Sequence, residues 1–351
     1  MKPKRGVRRS EFATRVEPIL TTTVCDCDIF YPYINSNSAC DIGSGAATHN
    51  PLEKIAQLCY KRINSGLDRL RGINALHRST DLFDLIRRKT IFQNVLLIGC
   101  GKMGGALLEY WKRGGEQFSI VDPFLENAPD GVQLCKDRTE LGDRQFDVVI
   151  VAIKPQMIDE ILPDYAPMLA DNGYVISMAA GASIARLSSV MNDAPVIRIM
   201  PNLPAFVGKA TNGLVAGPGV TDEQRQHATA MMERTGTVVQ VDDEDQLDRV
   251  TAVAGSGPGY VFELARAYVA AAEGIGFSHQ QARALVLGTL EGTIAMAIDQ
   301  DDQSLEDLRN SVTSKGGTTA AGLDALNGDG AMSRKFEATL EAAYKRAVEL
   351  R

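Results

Sequence analysis

The stretch NVLLIGCGKMGGALL, residues 94–108, decides the fold. It opens as a short apolar run that stops at a glycine, the mark of a buried strand. Gly99, Gly101 and Gly104 then stand as G-x-G-x-x-G, and helical spacing continues to about Arg113. Glycines allow a tight turn and let backbone N–H groups approach a pyrophosphate, and the helix that begins there points its positive end the same way. Lys102 and Met103 fall on the first turn of that helix. Alone the pattern is weak. Set between a strand and a helix, inside a strand–helix–strand unit, it marks a dinucleotide site. The competing reading is a glycine-rich turn with only a packing role.

Downstream the alternation continues. FSIVD (118–122) and FDVVIVAI (146–153) read as further strands, the latter followed by a helix with Pro155 in its first turn. GYVISMAA (173–180), APVIRIMP (194–201) and TVVQV (237–241) extend the series. Thr221 with Gln224 forms a capping pattern for a helix that ends at Gly236. Strands alternating with helices predict an α/β domain with a parallel sheet covered on both faces.

After about Glu244 the strand signal stops. YVFELARAYVAAAEGIGF (260–277), SHQQARALVLGTLEGTIAMAI (278–298), SLEDLRNSV (304–312) and SRKFEATLEAAYKRAVEL (333–350) are all helical in spacing, with Ser278 and Ser304 as N-caps. These helices are rich in small residues and apolar over wide faces, which predicts a second, all-helical domain that builds a homodimer.

Upstream, residues 1–90 differ from the rest. They carry 15 Lys+Arg against 9 Asp+Glu, while the whole chain of 351 residues has a net charge of −7. The acidic body argues against nucleic acid as a partner. Residues 8–51 keep neither period and read as poorly ordered; Pro51 to Lys89 carries helical spacing in one or two segments. Cys25, Cys27 and Cys40 lack a fourth ligand at zinc-like spacing, so no metal site is assigned. No methionine separates Met1 from Met103, which leaves open a gene start placed too far upstream. No secretory leader or membrane span is read, and Cys100 and Cys135 read as reduced, buried thiols, so a cytoplasmic location is expected.

Several loops carry chemistry. Asp122 ends FSIVD, where a carboxylate would bond the adenosine ribose and repel a 2′-phosphate, favouring NADH; the competing reading is a solvated turn residue before Pro123. AIKPQ (152–156) and IMPNLP (199–204) end strands at the edge where open parallel sheets bind ligands. Ala152, Lys154, Pro155 and Asn202 are therefore cofactor candidates, although a solvated Lys154 and a structural Asn202 compete. TAVAGSGPGY (251–260) precedes a helix and offers backbone N–H donors suited to a carboxylate, or else a close helix crossing. NSVTSKGGTTAAGL (310–323) has the same logic with added hydroxyls. His49, His77, His227 and His279 lie in tail or surface-helix contexts and receive no catalytic role.

With these motifs in view, residues 94–350 resemble the pyrroline-5-carboxylate reductases: IGCGKMG, AIKPQ, IMPNLP, TAVAGSGPGY and VTSKGGTTAAGL occur in that family's order and spacing. The resemblance implies a Rossmann-type domain over residues 91–245 and a helical dimerisation and substrate domain over residues 246–351, after an extension at 1–90. It implies hydride transfer from NADPH or NADH to a cyclic imine, giving L-proline, with the dimer partner contributing to each active site. It implies a substrate near Ser256, Gly257 and Pro258 and near Ser314, Gly316, Gly317, Thr318 and Thr319, and Ser256 and Thr318 are the candidate catalytic hydroxyls beside the imine nitrogen. Leu203, Ala254 and Lys315 stand where the family usually has Thr, Ser and Pro. Asp122 stands where a neutral residue often serves a 2′-phosphate.

Two other functions compete. A 3-hydroxyacid dehydrogenase needs a lysine and an asparagine after the glycine turn of its second domain, and GSGPGYVFELARA (255–267) has neither. A non-catalytic dinucleotide-binding regulator would have no use for a carboxylate cradle.

Overall fold

The structure, a computed structural model, describes residues 92–351. The readings for residues 1–90, with Cys25, Cys27, Cys40, His49 and His77, lie outside the described residues.

Strands β1 (Asn94–Ile98), β2 (Gln117–Val121), β3 (Gln133–Cys135), β4 (Phe146–Val151), β5 (Leu169–Ser177), β6 (Val196–Met200), β7 (Ala210–Ala216) and β8 (Gly236–Gln240) form one sheet in the order 3-2-1-4-5-6-7-8. The first six are mutually parallel. Their side chains alternate between two cores. Leu96, Ile98, Val149 and Val151 face one, and Val95, Leu97, Val148 and Ile150 face the other. This alternation is the period-2 geometry of a strand, and burial on both faces explains why the strands read as unbroken apolar runs.

Helix α1 (Lys102–Trp111) and α4 (Asp222–Glu233) cover the second face with Leu107, Trp111, Met231 and Met232. The first face is covered by α3 (Ile184–Val190), by α5 (Glu244–Val250) through Leu247, and by residues 155–168. That last segment was expected as one helix. It is instead a 3₁₀ turn at Pro155–Met157, a single α-turn, α2 (Ile158–Ile161), and a 3₁₀ stretch at Leu162–Met168. Pro163 and Pro167 lack the N–H donors a continuous helix needs.

The sheet is not wholly parallel. β7 runs antiparallel to β6, and β8 pairs parallel to β7. Residues 201–209 between β6 and β7 are too few for a crossover of a dozen or more. β7 carries no strand signal in the sequence, since it contains Asn212-Gly213, a pair that reads as a turn. Tertiary contacts override it. The buried Asn212 Nδ2 donates to Thr235 Oγ1 at 3.1 Å and to the Thr237 carbonyl at 3.2 Å. A Cβ on Gly213 would lie 2.7 Å from Val250 Cγ1 and 2.8 Å from Leu247 Cδ1, so glycine lets α5 reach the sheet.

From Glu244 onward only helices occur: α5, a π-helical turn at Thr251–Gly255, α6 (Gly257–Gly274), α7 (His279–Asp299), α8 (Leu305–Ser311), α9 (Thr318–Asn327) and α10 (Ala331–Glu349). The expected capping boxes at Thr221 and Ser278 are formed, and Ser304 caps α8. In α7 only Ala282 and Val286 are buried, while Leu285, Ile294, Met296 and Ile298 are exposed. Among the described residues no helix is long and apolar enough to cross a membrane.

Candidate active site

The glycine turn lies where β1, β2 and β4 end together. Gly99 N–H donates to the Val121 carbonyl and Ala152 N–H to the Ile98 carbonyl, each at 2.9 Å. In this strand order the gap between β1 and β4 is the topological switch point, where such sheets bind dinucleotides. Gly99 has φ +83°, and a Cβ there would meet the Ala152 carbonyl oxygen and Ile153 Cγ2 at 3.0 Å. Gly104 packs close to the Gly99 carbonyl, while the space beside Gly101 is open. Gly101 caps α1 without a side-chain acceptor, so the N–H groups of Lys102, Met103 and Gly104 are left for a ligand. These residues fit a pyrophosphate. A groove of about 590 Å³ bordered by Cys100, Gly101, Lys102 and Phe206 adjoins the turn.

Asp122 is bound into the same turn. Its Oδ2 accepts from Cys100 N–H at 2.7 Å, and its Oδ1 from Phe124 N–H at 2.8 Å and Leu125 N–H at 3.1 Å. Beside it, burial, and then the charges of Asp122 and Glu109, push the Cys100 thiol up to about 11. Cys100 and Cys135 are both free and buried, as expected.

The remaining cofactor candidates separate. Ala152 is half-buried at the end of β4; Lys154 is exposed at the head of the turn that Pro155 opens. Asn202 is buried, and both ends of its amide are used: Nδ2 donates to the Ala254 carbonyl at 3.1 Å and Oδ1 accepts from Thr211 N–H at 2.9 Å. It ties the end of β6 to the π-turn.

The Thr251–Tyr260 run does not open a fresh helix, as the sequence suggested. α5 passes through the π-turn into α6, and Ser256 N–H donates back to the Thr251 carbonyl at 2.9 Å. Fewer backbone donors are therefore free than expected, and Pro258 has none. What this geometry presents instead is the Ser256 hydroxyl, half-buried and without a hydrogen-bond partner among the described residues. π-turns of this kind recur at functional sites.

The loop before α9 follows the expectation more closely. Gly316 turns at φ +71°, Gly317 caps α9 without a side-chain acceptor, and the first-turn N–H groups of Thr318 and Thr319 are open. The hydroxyls of Ser314, Thr318 and Thr319 have no partner among the described residues. Nearby Ser311 and Thr313 instead donate to the Leu308 and Arg309 carbonyls at 2.7 Å. No hydrogen bond among the described residues links this loop to Ser256–Pro258.

Some polar groups escaped the sequence reading. His227 is not a plain surface residue: its ring bridges Tyr174 Oη at 2.7 Å and Glu116 Oε1 at 3.2 Å, and Arg234 holds Glu116 by two contacts of 2.8 Å. Burial would raise the Glu116 carboxyl, but hydrogen bonds from His227 and Arg234 outweigh it and bring it down to about 2. Buried Arg198 pairs with Glu244 at 2.6 Å. Such partners are far apart in sequence and carry no local signal. His279 is exposed at the start of α7, as expected.

A doubly wound sheet with an uncapped helix N-terminus at its switch point, followed by a helical half carrying an uncommitted hydroxyl turn, has the build of a two-domain dinucleotide-dependent oxidoreductase. A family model described as pyrroline-5-carboxylate reductase dimerisation matches residues 244–350, and a protein of that name from Pseudomonas aeruginosa is 37% identical over 264 residues, spanning 73% of this chain and 96% of its own. The chain belongs to the pyrroline-5-carboxylate reductase family. Residues 94–181 match a model described as NADP oxidoreductase coenzyme F420-dependent. A Mycobacterium leprae relative of the same name is 34% identical over 286 residues, covering 73% of this chain and 96% of its own. Among solved structures, a pyrroline-5-carboxylate reductase from Coxiella burnetii superposes with a TM-score of 0.69 at 30% identity, covering 74% of this chain and 98% of its own. The Plasmodium falciparum enzyme, solved with NADP bound, has the same fold, with a TM-score of 0.65 at 24% identity over 74% of this chain and 98% of its own.

Proposed function

We propose that this chain reduces 1-pyrroline-5-carboxylate to L-proline, with the nicotinamide of NADH or NADPH supplying the hydride. The observation that carries the site assignment is chemical. The hydroxyls of Ser256, Ser314, Thr318 and Thr319 are uncommitted, while those of Thr251, Ser311 and Thr313 are spent on helix carbonyls.

A protonated cyclic imine is already electrophilic at carbon. The protein therefore needs no general base; it must hold the ring, shield it from water and neutralise its carboxylate. Ser256 orients the ring nitrogen and Thr318 shares that role. The N–H groups and hydroxyls at Ser314, Gly316, Gly317 and Thr319 grip the carboxylate at the head of α9. Gly257 and Pro258 shape the wall opposite. Gly99, Gly101, Lys102, Met103 and Gly104 bind the pyrophosphate, Asp122 and Lys154 the ribose side, and Ala152 and Pro155 the wall between. Asn202 serves that wall from behind, by fixing Ala254. Exposed apolar faces on α6 and α7 support a homodimer, and the free, buried thiols of Cys100 and Cys135 support a reducing, cytoplasmic setting.

The test is steady-state oxidation of NADH and of NADPH in the presence of the cyclic imine, with L-proline measured as product. Equal amounts of oxidised cofactor and L-proline are expected. No oxidation with either cofactor removes the proposal.

A further inference from the structure

The end of α10 is locked onto α5. Arg351 Nε donates to Asp248 Oδ2 at 2.6 Å, and Arg351 Nη2 lies 3.5 Å from Asp245 Oδ1. Tyr344 Oη donates to Asp245 Oδ1 at 2.5 Å, and the Arg249 guanidinium sits over the Tyr344 ring at 5.3 Å. The Asp248 side chain is only 6% exposed, and Arg351 is its side-chain hydrogen-bond donor among the described residues. A buried carboxylate of this kind depends on its partner, because removing the guanidinium leaves the charge without compensation. On the other side, Gly181 in the β5–α3 connection approaches the Leu350 carbonyl so closely that any Cβ would overlap it. The end of α10 is thus wedged between α5 and the C-terminal edge of the sheet.

What α5 does next gives this lock its meaning. Its first turn is tied to the sheet by Arg198–Glu244, and Glu244 also accepts from Ile184 N–H at 2.9 Å. Leu247 is fully buried in the core beneath. From Val250 the chain enters the π-turn without a break and delivers Ser256. A shift of α5 along its axis would therefore carry the Ser256 hydroxyl with it.

We infer that Arg351, acting through Asp248, is a positioning residue for imine reduction, holding α5 in the seat that places the Ser256 hydroxyl. Tyr344, acting through Asp245, is the second strap of the same lock. The inference rests on the reading of Ser256 as substrate-facing. Glu244, Asp245 and Asp248 pair with Arg198, Arg249 and Arg351 in this cluster. Loss of one arginine leaves it with excess negative charge.

The experiment compares Arg351→Ala, Arg351→Lys, Tyr344→Phe and Ser256→Ala in the full chain. It measures kcat and KM for the imine, NADH affinity by fluorescence, and hydrogen exchange across residues 250–260. Misplacing a binding group by about 1 Å can cost about 100-fold, so Arg351→Ala is expected to lower kcat/KM for the imine by about 10- to 100-fold. NADH affinity and exchange in β1 stay unchanged, while exchange at the Ser256 amide speeds up. Arg351→Lys restores part of the rate, since it returns the charge without the planar fork. Tyr344→Phe, which removes one hydroxyl, keeps the test open should Arg351→Ala fail to fold; it is expected to give a smaller loss of the same kind. Wild-type kcat/KM in Arg351→Ala, or in Tyr344→Phe when that variant stands in, overturns the inference. So does a loss in kcat/KM matched by an equal loss of NADH affinity. Wild-type turnover in Ser256→Ala would instead remove the site assignment and leave the lock as a purely structural contact.

Discussion

Three backbone N–H groups, from Cys100, Phe124 and Leu125, hold the Asp122 carboxylate against the glycine turn. A carboxylate so held cannot swing aside for a second anion. Lys136, near the same turn, is turned toward the Leu125 carbonyl. A 2′-phosphate on the adenosine ribose would therefore meet a fixed like charge, which costs binding, whereas ribose hydroxyls can still donate to the remaining lone pairs. Asp122→Ser is expected to raise the NADPH/NADH ratio of kcat/KM by at least about tenfold, or 1.4 kcal/mol. Steady-state kinetics with both cofactors checks this, and an unchanged ratio would show that Asp122 serves only the turn.

Strand β7 exists because its neighbours demand it. Gly213 admits Val250 and Leu247 to the sheet, so Gly213→Ala forces an overlap against the same helix that leads to Ser256. The expected cost is about 1–3 kcal/mol in denaturant unfolding, as for other overpacked cores. Wild-type stability would mean that α5 can ride outward freely. On the second face of the sheet, α4 is tied to the start of β2 by Glu116, Arg234 and His227. The Glu116 carboxyl is depressed from its ordinary 4.5 to about 2. A depressed carboxyl contributes stability that is fully present above the unfolded value and is lost as pH falls through the folded one. Glu116→Gln should therefore lose on the order of 2–3 kcal/mol at pH 7. The gap to the parent should narrow between about pH 4.5 and pH 2. Thermal or urea unfolding across that range reads it directly, and a gap independent of pH would point to packing instead of charge.

The two halves of the molecule meet along α5, the π-turn and the end of α10. Within one chain, no hydrogen bond among the described residues joins the Thr313–Thr319 loop to Ser256. If the two hydroxyl sets act on one substrate across a homodimer, two inactive variants can repair each other. Co-assembly of Ser256→Ala with Thr318→Ala is then expected to restore about a quarter of wild-type activity, since half the dimers are mixed and each has one intact site. Co-expression of the two variants in equal amounts, with activity measured per total protein and without selecting mixed dimers, provides the measurement. Activity that stays at the level of the separate variants would place both hydroxyl sets in one chain.

Apolar periodicity and glycine spacing settled the doubly wound sheet, the glycine turn at its switch point and the helical second half from the sequence alone. These depend on local rules: alternation across a strand, a cap three residues before its acceptor, a glycine where φ turns positive. The hydroxyl-rich stretches around Ser256, Ser314, Thr318 and Thr319 stood out in the sequence by their spacing among glycines. What the sequence could not say was which of those groups are free. The π-turn removes backbone donors that a new helix would have offered, and Asn202 proves to be spent on Ala254 and Thr211. β7, the Glu116 cluster and the Asp248–Arg351 lock were also invisible. Each joins partners 20 to more than 100 residues apart, and the choice between them is made by burial and charge compensation in the assembled fold.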